Sequence, residues 1–98
     1  MKIKDVNAGM ERIYLVAKVV TVGDRRTVET RFGPAEVAIA TIEDESGRMN
    51  FKLWRKQIDQ VKAGDVIRIE DAFTITFDGN TELNMGSRGR IKVLAGKK

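Results

Sequence analysis

The run Arg48-Met49-Asn50-Phe51-Lys52-Leu53-Trp54 combines residue types that do chemistry together on a strand. Successive side chains of a strand point to opposite faces. Met49, Phe51 and Leu53 then face a core, and Arg48, Asn50, Lys52 and Trp54 face solvent. A folded chain gains little by exposing its one tryptophan beside two cations. A surface that holds unpaired nucleic acid gains a great deal. Bases stack on the indole while Arg and Lys meet the phosphates. Arg55 follows at once and extends the cationic rim, whereas Lys56 falls where a helix turns it aside.

Other chemistries are poorly supplied. There is no histidine and no cysteine, which removes the usual general base, the thiolate nucleophile and the commonest transition-metal ligands. No Gly-rich phosphate loop is present. Ser46 and Ser87 have no recognisable base partner. The acids Glu43-Asp44-Glu45 read as a solvated turn rather than a cation site. The expectation is a binding protein and not an enzyme, with no catalytic residue, no metal and no cofactor. The longest apolar run, Ile13 to Ala17, is five residues, too short to cross a bilayer. No signal peptide, no membrane contact and a cytoplasmic location follow as expectations.

These 98 residues form one small domain. The pattern is mostly of period two, rich in Val, Ile, Thr and Phe, and broken by Gly-containing turns. Arg12 to Val22 reads as a long first strand with apolar residues on both faces, so part of it is expected to be buried on both sides. Residues 23–34 read as a loop or loose hairpin closed by Gly33-Pro34. Ala35 to Ile42 is a second strand, and Asp44-Glu45-Ser46-Gly47 turns into the third, which ends at Trp54. Arg55 to Val61 is a short helix whose Ile58 and Val61 are spaced to cap one end of a barrel. Val66 to Phe77 is a fourth strand, Asp78-Gly79-Asn80 a hairpin signal, and Thr81 to Met85 a fifth strand.

Five strands with a short helix between strands 3 and 4 predict an all-β fold, the OB-fold Greek-key barrel. An SH3-like barrel and a simple meander fit the pattern as well. The barrel is expected over about residues 11–86, with a basic C-terminal segment over 87–98.

One strand breaks its own pattern. Ile67, Ile69, Phe73, Ile75 and Phe77 share one parity, which would bury Asp71 beside them, and an unpartnered buried carboxylate is costly. A bulge at Glu70-Asp71-Ala72 removes the conflict, because one extra residue sends each later side chain to the other face. Phe73 and Phe77 then join Trp54 on the outside.

Charge is unevenly spread. Residues 83–98 carry five cations and no acid, while the first 82 carry 13 cations and 14 acids. Either a solvated tail or a polyanion partner accounts for this.

At this point the chain resembles a known family. Asp44-Glu45-Ser46-Gly47-Arg48 with Leu53-Trp54, then Gly64 to Phe73, Phe77-Asp78-Gly79 and Leu83 to Arg88, resemble the simple single-OB-fold single-stranded-DNA-binding proteins of archaeal type, related to replication protein A domains. The resemblance spans roughly residues 5–92. It implies that Trp54, Phe73 and Phe77 stack on bases. Arg48, Lys52 and Arg55 beside the indole are then phosphate contacts, as are Arg25, Arg26 and Arg31 in the first long loop and Arg88 and Arg90 after the fifth strand. Asn84, where some relatives carry a further aromatic, is a polar contact. The implied function is sequence-tolerant binding of single-stranded DNA that protects it in replication, recombination or repair, alongside replication or repair proteins. An RNA- or tRNA-binding OB module and a structural OB subunit are the competing readings.

Overall fold

The computed structural model describes residues 1–96. A 3-10 turn, Ile3–Asp5, precedes strands β1 (Ile13–Val22), β2 (Arg26–Thr30), β3 (Gly33–Asp44) and β4 (Gly47–Trp54). A single helical turn, α1 (Gln57–Gln60), leads to β5 (Val66–Phe77) and β6 (Asn80–Ala95).

The strands run β1-β5-β6-β4-β3-β2, and a further β1–β3 pairing closes the ring. β4 and β6 pair in parallel, and the other ladders are antiparallel. The result is a closed five-stranded OB-fold barrel, with β2 added outside β3 as the end of the sheet order. Closure shortens the edges left on the barrel strands, although β4 and β6 meet over only two residue pairs.

The inward residues follow the period-two pattern. Ile13, Leu15, Ala17 and Val19 come from β1, Ala38, Ala40 and Ile42 from β3, and Phe51 and Leu53 from β4. Ile67, Ile69 and Ala72 of β5 join Leu83 and Met85 of β6. Each large side chain so buried contributes about 1.5–3 kcal/mol. Ile58 and Val61 are buried against this cluster, although the helix is shorter than the expected 55–61. Arg55 takes φ 53°, which breaks any helix beginning there.

Two expectations are corrected. The outward face of β1 is open, with Tyr14 53% and Val16 44% exposed. Residues 87–95 are part of β6 rather than a tail, since the first half of β5 takes them as its partner, with Ile91 opposite Ile69. Lys97 and Lys98 lie outside the described residues.

The bulge is present where the parity conflict required it. Ile13 pairs with Ala72 and Leu15 with Ile69, so β5 holds one residue more than β1 there. Asp71 takes φ 56°. Ile67 and Ile69 face inward before it and Ala72 after it. On the β6 side, Glu70 pairs with Arg90 but Ala72 with Met85, so the intervening residues of β6 swing out of the ladder. The chain crosses itself tightly there, and a Cβ on Gly89 would lie 2.8 Å from the Cβ of Met85.

The N-terminus is tied to the β3–β4 turn by Asp44, which accepts the Ile3 N–H at 2.8 Å and the Ser46 N–H at 2.7 Å. Burial alone would raise this carboxyl, but hydrogen bonds from the Ser46 hydroxyl and from backbone N–H groups outweigh it and hold it below its ordinary value.

Candidate nucleic-acid interface

One outward face runs across four strands. On β4 it carries Arg48, Asn50, Lys52 and Trp54, whose partners on β3 are Glu43, Thr41, Ile39 and Val37. Glu82 of β6 lies beside Asn50. Beyond it, Phe73, Ile75 and Phe77 of β5 pair with Asn84, Glu82 and Asn80. Directly paired residues share a face, so the bulge is what brings the β5 aromatics onto the side of Trp54.

Trp54 is half-buried and held at both ends. Its backbone N–H donates to Gln57 Oε1 at 3.0 Å, and its indole Nε1–H donates to Asn84 Oδ1 at 3.3 Å. Lys52 Nζ stands 4.8 Å from the ring centroid. At an exposed site such a cation–π contact is worth about 0.5–1 kcal/mol.

Asn84 is only 2% exposed. The indole donor sets its amide orientation, oxygen toward the ring. Its Nδ2 is buried with no hydrogen-bond partner, which costs about 1–3 kcal/mol. On its other side Asn84 pairs with Phe73. Phe73 is half-buried beside Gly86, where a Cβ would stand 3.6 Å from the ring. An open cleft next to Phe73 is lined by Met10, Arg12, Asp71 and Arg88. Phe77 is 80% exposed at the β5–β6 tip. Asp78 and Gly79 turn there with φ 54° and 81°, a primed hairpin turn.

The expected cations divide into groups. Lys52 and Arg55 flank Trp54, and Arg55 and Lys56 line a cleft with Trp54 and Gly86. Arg26 lies in the row of Val37 and Trp54 across β3. Arg31 is exposed at the β2–β3 tip, and Arg88 is on the Phe73 side. Arg25 is engaged with Asp59 and, at 4.0 Å, with Glu36. Arg48 pairs with Glu43 at 2.8 Å. Arg90 lies opposite Glu70 and lines a groove with Gln57 and Gln60, on the helix side. The structure thus gathers Trp54, Phe73, Asn84, Lys52, Arg55 and Arg26, sets Phe77 and Arg31 at hairpin tips, and occupies Arg25 and Arg48 with acids.

Sequence reasoning passed over three residues. Arg12 lines the Phe73 cleft. Ile75 is 46% exposed between the two phenylalanines, and its shared parity with them was the available signal. Phe32 is 86% exposed at the β2–β3 tip, where its place beside the Gly33-Pro34 turn marked it as a surface aromatic.

A family described as "Single-stranded DNA binding protein Ssb-like, OB fold" matches residues 7–93. The single-stranded DNA binding protein Ssb of Saccharolobus solfataricus is 32% identical over 90 residues, 92% of this chain and 61% of that protein. The chain thus spans about three-fifths of the length of that relative. Among solved structures, the replication factor A related protein of Methanobacterium thermoautotrophicum superposes with TM-score 0.80 at 28% identity, covering 96% of this chain and 89% of that one. An OB domain from Thermoplasma acidophilum reaches TM-score 0.84 at 24% identity over 100% of this chain and 89% of that one, a likeness of fold.

Proposed function

The chain belongs to the Ssb-like family of OB-fold single-stranded DNA-binding proteins, and from that membership we propose that it binds single-stranded DNA with little regard to sequence. One observation carries the reading: an outward-facing indole fixed by Asn84, with Phe73 on the far side of that amide and Lys52 4.8 Å above the ring. Trp54, Phe73 and Phe77 serve as stacking platforms. Every base has a π-face, so stacking holds any sequence, at about 1–3 kcal/mol per base. Three platforms supply roughly 3–9 kcal/mol before ordering costs are subtracted.

Lys52, Arg55, Arg26, Arg31 and Arg88 supply phosphate contacts, which position the strand without reading it. Such binding shields exposed strands in replication, recombination or repair, where proteins of those processes would act beside it.

The test is a fluorescence-anisotropy titration of wild type and Trp54→Ala into dye-labelled homopolymeric deoxy oligonucleotides. The variant is expected to bind each homopolymer about tenfold or more weakly, with its unfolding transition intact. Equal affinity in a folded Trp54→Ala variant would refute the assignment. Competition by matched ribo oligonucleotides separates DNA from RNA as the preferred ligand.

A further inference from the structure

We propose that Phe32, at the tip of the β2–β3 hairpin, is a further base-stacking platform that lengthens the bound strand's path beyond Trp54. The inference rests on the single-stranded DNA reading and extends it to a residue outside the site described above.

Phe32 is the most exposed large apolar side chain among the described residues, at 86%. Its turn is ordered. Thr30 Oγ1 accepts the Phe32 N–H at 3.1 Å and donates to the Gly33 carbonyl at 2.7 Å. A turn of this kind is served as well by Asn, Asp or Ser, so the benzyl group gives the fold nothing that a small polar residue would not. A rigid turn that presents an unpacked aromatic beside Arg31 repeats the combination found at Lys52 and Trp54.

Register places this tip beyond the Trp54 end of β4. Trp54 pairs with Val37, and Val37 pairs with Arg26. Gly33, where β3 begins, precedes Val37 by four positions, which carries the tip about 13 Å past the Trp54 row. At the other end, Asn50 pairs with Glu82 and Phe77 with Asn80, so Phe77 stands level with the Arg48 end of β4. Along the strand axis the order is therefore Phe77, Phe73, Trp54, Phe32, with the two hairpin tips at opposite ends. Charge along the arm agrees. Arg25 at its root is engaged by Glu36 and Asp59, whereas Arg26 and Arg31 have no ion pair among the described residues.

The experiment measures affinity against oligothymidylate length, from about 5 to about 16 nucleotides, the span of OB-fold site sizes. Phe32→Ala is expected to bind the longest oligomers about tenfold more weakly and the shortest as wild type does. Equal affinity at every length would overturn the inference, as would an equal loss at every length, which marks a structural role. A second variant, Trp54→Phe with Phe32→Trp, moves the sole indole to the hairpin tip. Its fluorescence is expected to be quenched by long oligomers, and an unquenched signal on a bound long oligomer also overturns the inference. Wild type that fails to bind any oligomer defeats the underlying reading as well, whereas normal wild-type binding with an indifferent Phe32→Ala defeats this inference alone.

Discussion

The buried amide of Asn84 is only half satisfied. Its oxygen fixes the indole of Trp54, while its Nδ2 is left without a partner. Replacing it by an apolar residue of similar size removes one hydrogen bond but also an unsatisfied donor. Asn84→Leu is therefore expected to raise stability by about 1 kcal/mol in urea unfolding and to weaken single-stranded DNA binding several-fold. A variant that loses stability and keeps full affinity contradicts this account. The outward placement of Trp54 was readable in alternation with Phe51 and Leu53, because the strand period acts locally. The burial of Asn84 was not, because its cover includes a ring 30 positions away in the chain.

At the scale of elements, the β5 bulge decides where the aromatics point. It was readable because a carboxylate stood in an otherwise apolar parity. Asp71 adopts φ 56°, a conformation that costs most L-residues about 1–2 kcal/mol and that Asp and Gly tolerate. Asp71→Val is expected to lose about 1–2 kcal/mol in denaturant unfolding, and Asp71→Gly to stay within about 0.5 kcal/mol of wild type. Equal stability of the two variants would show that the backbone there is not constrained. The true extent of β6 was less legible. Residues 86–95 look like a polar tail because Arg88, Gly89 and Arg90 interrupt the alternation while the strand leaves and rejoins its ladder. Only the demand of the first half of β5 for a partner makes them a strand.

Across the whole molecule, a formal charge of +4 says less than its pairing. Each phosphate contact on a single strand adds about −0.7 to the slope of log K against log salt. Arg55→Ala is expected to flatten that slope by about 0.7. Arg25→Ala is expected to change it far less, because Asp59 and Glu36 already screen that guanidinium. Salt titrations of both variants check this, and equal flattening would show that Arg25 leaves its acids for the ligand. By itself the sequence determined where most strands lie along the chain, the inward and outward parity of β4 and β5 and the outward tryptophan. Those follow from local alternation and turn chemistry, which need no knowledge of distant residues. The tertiary structure alone decided which cations are spent on acids and that Asn84 is buried with its amide oxygen on the indole N–H. Each of these depends on barrel register, which brings together residues far apart in the chain.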